Sequence, residues 1–141
     1  GPEEAAIRAE AAACGIAGRL VMPGYLKDPA RYVGLFDVYA ISSDTEQFPI
    51  SLVEAMAARL PAVCTDVGDI ARIIAPENAP FVVPAPDEAA FAAALATLLD
   101  DSTLRARIGA ANRARVEAEF TQEKMVSAYA RLYAEAQGRA F

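Results

Sequence analysis

Apolar runs of only three or four residues, each cut off by turn residues and alternating with helical patterns, leave this chain few ways to fold. The runs are Arg19-Leu20-Val21-Met22 before Pro23-Gly24, Val38-Tyr39-Ala40-Ile41 before a polar loop, Ala62-Val63-Cys64 before Asp66-Val67-Gly68-Asp69, and Phe81-Val82-Val83 before Pro84. Strands this short and this apolar, separated by helices, predict an α/β fold: a Rossmann-like, doubly wound parallel sheet of about four short strands, followed by C-terminal helices. Helices are expected over residues 3–14, over 28–36 with Tyr32, Leu35 and Phe36 as the apolar stripe, over 49–59, and briefly over 70–74. Three more close the chain. Asp87 caps one with Phe91, Leu95, Leu98 and Leu99 inward, Ser102 caps the next with Leu104 and Ile108, and Thr121 caps the last with Met125, Tyr129, Leu132 and Tyr133. In such sheets ligands sit beyond the carboxyl ends of the strands, so the loops at Gly24, Ser42–Phe48 and Asp66–Asp69 should converge on one edge.

Glu46 and Glu54 carry the chemistry of that edge. Glu46 lies in the polar loop, Pro49 follows three residues later, and Glu54 falls inside an Ala-rich helical pattern. Proline suits the first position of a helix, where its missing N–H would be unpaired anyway. A helix opening at Pro49 places the free N–H groups of Ile50, Ser51 and Leu52 between the two carboxylates, which is an anion site flanked by hydrogen-bond acceptors. A phosphorylated ligand bearing hydroxyls fits that pattern better than a bare anion.

Composition narrows the alternatives. With 19 acidic and 13 basic residues the net charge is −6, which argues against nucleic acid as a partner. Histidine is absent, removing His-based acid/base chemistry and most zinc sites. Two well-separated cysteines, Cys14 and Cys64, suit reduced thiols in the cytoplasm. Asp44 beside Glu46 suggests a paired-carboxylate hydrolase only weakly, because both fall in one short loop. Asp66 and Asp69 read as turn and cap residues. Gly1-Pro2 matches the scar that tag removal leaves.

Taken together, Glu46-x7-Glu54 with Phe48-Pro49 and Glu54-Ala55-Met56-Ala57 resembles the donor-binding C-terminal lobe of retaining GT-B-fold glycosyltransferases, the glycosyl transferases group 1 family. The flanks Phe36–Ser43, Pro61–Gly68 and Phe120-Thr121 with Tyr129-x-x-Leu132-Tyr133 agree, so the resemblance covers residues 3 to about 135. It implies a nucleotide-sugar donor such as a UDP-, GDP- or ADP-sugar, transfer with retained configuration, and neither metal nor cofactor. Glu46 would act at the donor sugar as the catalytic carboxylate and Glu54 at the ribose. Phe48, Pro49, Ile50, Ser51 and Leu52 would hold sugar and diphosphate, and Gly24 and Tyr25 would border the base. The family's usual Gly is Gln47 after the first Glu, Arg59 after the helix, and Asp69 in the following turn. The resemblance also implies two earlier strands bearing an Arg and a Lys for the diphosphate, and an acceptor lobe before them. The chain, residues 3–141, is accordingly read as a partial donor lobe, truncated on its N-terminal side and inactive alone, from a cytoplasmic protein held in full length at the inner membrane face. The alternative is a non-catalytic, partial Rossmann-like module acting in oligomerisation or partner binding, as a homodimer or a domain-swapped assembly, through its open sheet edge or its closing helix.

Overall fold

A computed structural model describes residues 1–138. Three parallel strands, β1 (Tyr39–Ile41), β2 (Ala62–Thr65) and β3 (Val82–Val83), lie in the order β1-β2-β3. Tyr39 pairs with Ala62 and Ile41 with Cys64 on one side of β2, and Cys64 with Val82 on the other. The helices are α1 (Glu4–Ala13), α2 (Ala30–Val33), α3 (Ile50–Ala57), α4 (Ile70–Ile73), α5 (Glu88–Asp100), α6 (Ser102–Glu119) and α7 (Gln122–Ala136).

Every residue of β2 is buried, and its alternation builds two cores. Ala62 and Cys64 face Leu52, Met56, Ile70, Ile73 and Val116, while Val63 faces Phe81, Leu98 and Ile108. Helices therefore cover both faces of the sheet, as the doubly wound reading requires. Cys64 sits within the first core, and burial pushes its thiol up to about 12. Since the thiolate is the reactive form, iodoacetamide at pH 8 should label exposed Cys14 and spare Cys64 until the protein unfolds. The proton is held more tightly in the folded state. This contribution is therefore whole below the unfolded thiol value, about 8.5, and is lost as pH rises towards the folded one.

Among the described residues the fourth expected strand is absent. Residues 20–25 run without strand pairing after a 3₁₀ turn at Ala17–Arg19, although Leu20 has extended angles (φ −82°, ψ 120°). A strand exists only where a neighbour completes its hydrogen bonds, and none flanks this segment. Val21 is left exposed. The 28–36 helix contracts to α2, whose buried residue is Val33, whereas Tyr32, Leu35 and Phe36 are exposed. Leu99 also points to solvent, since Leu98 takes the inward position. Phe81 ends a 3₁₀ segment from Pro76 and does not begin β3. Asp101, not Ser102, caps α6, its carboxylate accepting from Leu104 N–H at 2.8 Å. The caps Asp87 and Thr121 stand as expected, accepting from Ala90 N–H and Lys124 N–H.

Buried amides and close glycine contact tie α6 to the sheet. Asn78 and Asn112 are fully buried; Asn78 donates to Ala62 O at 2.7 Å and accepts from Ala62 N–H at 2.8 Å. Asn112 donates to Leu60 O and to Asn78 Oδ1, both at 2.8 Å, and accepts from Ala75 N–H at 3.3 Å. At Gly109 a Cβ would lie 2.0 Å from Arg59 O, so α6 rests directly on the backbone that ends α3.

That ending bears strain. Leu60 N–H bonds Ala55 O and Arg59 N–H bonds Met56 O, the paired bonds of a Schellman cap, with Arg59 at φ +64° in the left-handed region. The same pattern ends α1, where Ile16 N–H bonds Ala11 O and Gly15 N–H bonds Ala12 O, but there Gly15 holds the left-handed position. A left-handed residue with a side chain costs about 1–2 kcal/mol, partly offset by the entropy glycine loses on folding. Arg59→Gly should therefore raise stability by about 1 kcal/mol, measured as a shift of the urea midpoint at unchanged slope.

Candidate functional site at the opening of α3

The loop after β1 carries Glu46 and ends at Pro49. Pro49 is the cap residue of α3, not its first helical residue, with extended angles of φ −70° and ψ 104°. No side chain caps this helix start. Leu52 N–H turns back to Pro49 O at 3.1 Å, and the Leu52 side chain is fully buried in the core. Of the three N–H groups expected to be open, those of Ile50 and Ser51 remain, which reduces but preserves the anion-binding character of the helix start.

Glu46 and Glu54 are both half-buried. Ser43 Oγ donates to Glu46 Oε1 at 2.7 Å, and Thr65 Oγ1, at the end of β2, donates to Ser43 O at 2.6 Å. The carboxylate is thus held by the Ser43 hydroxyl, and the Ser43 backbone carbonyl is tied to the sheet by the Thr65 hydroxyl. The four ion pairs among the described residues lie elsewhere, so neither glutamate is tied up by a basic side chain.

The loop after β2 braces the loop after β1. Asp69 N–H donates to Gln47 O at 2.9 Å. Gly68, at φ +57°, lies so close that a Cβ there would come within 2.2 Å of Glu46 O. These two loops converge as expected at the carboxyl ends of the strands, whereas the Gly24 loop follows no strand. Gly24 has φ +70° in open space, and Tyr25 is 94% exposed. Gln47 is exposed and adopts no left-handed angle, so its side chain is accommodated without backbone strain.

Phe48 packs against the end of α6. Its ring meets Phe120 edge to face at 5.7 Å, and Phe120 in turn carries the Arg115 guanidinium at 5.9 Å. Phe48 therefore anchors the loop to the end of α6. With Ile50 and Val53 it forms one wall of an open groove of about 810 Å³, closed on the other side by α7 residues including Lys124, Ala128 and Arg131. The apolar stripe of α7 is uncovered, with Met125, Tyr129, Leu132 and Tyr133 between 52% and 63% exposed.

Tyr39 joins the site from β1. Its hydroxyl donates to Ser51 Oγ at 2.8 Å. Burial raises its pKa, and beyond the Ser51 bond, which lowers it, the charges of Cys64, Glu46 and Glu54 raise it further. Tyr39 read as an ordinary strand residue in sequence, because a partner twelve residues away leaves no local mark. Gly68 and Ser43 were equally hidden, although a glycine in the turn after a buried strand is a signal of close backbone approach. Among the described residues no group of three or more acidic, Cys or His side chains is arranged to hold a metal. Among the described residues no helix is long and apolar enough to cross a membrane.

Known proteins resemble this chain in sequence and in fold. The family model described as glycosyl transferases group 1 matches residues 1–115. N-acetyl-alpha-D-glucosaminyl L-malate synthase of Bacillus anthracis is 30% identical over 118 residues, spanning 84% of this chain and 31% of that protein. The lipopolysaccharide core biosynthesis mannosyltransferase LpcC of Rhizobium leguminosarum bv. viciae is 29% identical, spanning 90% of this chain and 36% of that protein. Sucrose-phosphate synthase from Thermosynechococcus elongatus superposes with a TM-score of 0.89 at 26% identity, over 98% of this chain and 35% of its own. The chain spans about a third of the length of these relatives. On the sequence match and the shared fold together, this chain belongs to the glycosyl transferases group 1 family.

Proposed function

We propose that this chain is the donor-binding part of a glycosyltransferase that moves a hexose from a nucleotide-sugar to an acceptor with retained configuration. The observation that carries it is the pair of half-buried carboxylates, Glu46 and Glu54, on either side of the uncapped start of α3. Here Glu54 accepts from the ribose hydroxyls, and the N–H groups of Ile50 and Ser51 hold the diphosphate. Glu46 accepts from hydroxyls of the donor sugar, and Gly24 and Tyr25 border the base. The likeness to a mannosyltransferase and to an N-acetyl-alpha-D-glucosaminyl L-malate synthase supports a hexose-type donor. The helix start supplies partial positive charge where the leaving diphosphate develops negative charge, without a metal. The basic residues that complete the diphosphate site belong to two earlier strands of the donor lobe, and the surface that binds the acceptor to the lobe before them, so donor binding without transfer is the property proposed for this chain alone.

The experiment is a titration of the ¹⁵N-labelled chain with UDP, GDP and ADP. Amide shifts should move at Ile50, Ser51 and Glu54 with at least one nucleotide, and no movement there with any of them would overturn the reading. Glu54→Ala should weaken the best nucleotide about 10-fold or more, the loss expected for a hydrogen bond to a charged acceptor. Its effect on inorganic pyrophosphate, which has no ribose, should be small.

A second reading rests on the uncovered α7 stripe and the unpaired outer edges of β1 and β3. Either surface could join two copies of the chain, and a monomer by light scattering at high concentration would exclude it.

A further inference from the structure

Among the described residues, a side-chain hydrogen bond between Tyr39 and Ser51 joins the sheet to the exposed side of the first turn of α3. Ser51 is the second helical residue and Glu54 the fifth, three apart, so they share one face of the helix. Tyr39 O–H donates to Ser51 Oγ at 2.8 Å, and among the described residues no protein acceptor takes the Ser51 O–H in turn. Serine near a helix start ordinarily bonds its own backbone locally. Here the tyrosine occupies the oxygen, and the hydroxyl proton is left to point outward.

We infer that Tyr39 is a positioning residue for the donor diphosphate: it orients Ser51 so that the Ser51 O–H becomes a third donor beside the N–H groups of Ile50 and Ser51. The inference rests on the nucleotide-sugar reading above and adds to it a side-chain donor and the residue that aims it. Chained hydroxyls polarise one another, so a Ser51 whose oxygen already accepts is a stronger donor to a phosphate than a free one. The arrangement depends on Tyr39 keeping its proton, because a tyrosinate would add a third anion beside Glu46 and Glu54. Burial and those neighbouring carboxylates both hold the proton on.

The test measures binding of UDP, GDP and ADP to the 141-residue chain by calorimetry, together with thermal stability. Ser51→Ala should weaken the best-bound nucleotide about 10-fold and Tyr39→Phe about fivefold, the scale of a lost charged hydrogen bond and of a weakened one. Ser51→Thr, which keeps the hydroxyl, should restore affinity. Because Tyr39 acts through Ser51, the double variant Tyr39→Phe/Ser51→Ala should bind no more weakly than Ser51→Ala alone. Equal affinity of Tyr39→Phe and the unaltered chain, with only the melting temperature lowered, would make the bond structural and overturn the inference. Full additivity of the two losses would overturn it as well. Failure of the unaltered chain to bind any of the three nucleotides would overturn the nucleotide-sugar reading itself, and the inference with it.

Discussion

Asn112→Ala should lower the unfolding free energy by about 3–5 kcal/mol, a large share of the 5–15 kcal/mol typical of a domain. The truncation deletes the donor to Leu60 O and to Asn78 Oδ1 and the acceptor of Ala75 N–H. Leu60 O and Ala75 N–H would stay buried with no replacement in the apolar surroundings of Leu60 and Ala75, themselves 5% and 1% exposed. Each unpaired buried group costs about 1–3 kcal/mol, and the vacated volume adds to that. Asn112→Asp should be at least as harmful, since it sets a carboxylate against two acceptor oxygens in a buried site. Asn78→Ala should act on the same network from the β2 side, and because the two amides share a bond the double variant should cost less than the sum. Urea unfolding followed by circular dichroism gives the numbers. A loss below about 1 kcal/mol for Asn112→Ala would mean that α6 is held by apolar packing alone.

Neither asparagine stands out in the sequence, which shows how far local pattern reaches. β2 is legible from Ala62-Val63-Cys64 because a run buried on both faces is apolar at every position. The Glu46, Pro49 and Glu54 spacing is legible because a helix start has chemistry of its own. Pairing across the fold is not. Asn78 and Asn112 are 34 residues apart, and either could equally belong to a turn or a solvent-facing helix. The run at residues 19–22 looks like a strand because hydrophobicity marks a propensity, while strandhood needs a partner that the described chain does not provide. The 28–36 stripe fails differently. The helix stops at Val33 and Gly34 follows, so Leu35 and Phe36 leave the periodicity that was meant to bury them. At α6 the run Asp100-Asp101-Ser102 offers three capping residues in a row, and only the bond from Leu104 N–H singles out Asp101. In α7 the periodicity correctly marks one apolar face but says nothing of what covers it.

The site itself depends on a contact of the same hidden kind, and Gly68→Ala should show it. Two costs add at this position. The left-handed backbone, φ +57°, costs about 1–2 kcal/mol for a residue with a side chain. The new Cβ would also stand 2.2 Å from Glu46 O, 2.7 Å from Glu46 C and 2.9 Å from Gln47 O, all backbone atoms with no rotamer to yield. The loop bearing Glu46 must therefore move away, losing the Asp69 N–H bond to Gln47 O and pulling Glu46 from Ser43. Gly15→Ala is the matched control. Gly15 has φ +70° but nothing within 4 Å of its missing Cβ, so it bears the backbone cost alone. We expect Gly68→Ala to lose about 3 kcal/mol against about 1 kcal/mol for Gly15→Ala. Its amide shifts should change over residues 43–50 and 66–70 while those of β2 and α6 stay in place. On the nucleotide-sugar reading proposed above, nucleotide affinity should fall by at least about 10-fold for Gly68→Ala and not at all for Gly15→Ala, because a positioned binding site tolerates little misplacement. Should the two variants lose stability equally, with residues 43–50 unshifted, the loop after β2 would not be what holds Glu46 in place, and the bracing would rest on the Thr65–Ser43 and Ser43–Glu46 hydrogen bonds alone.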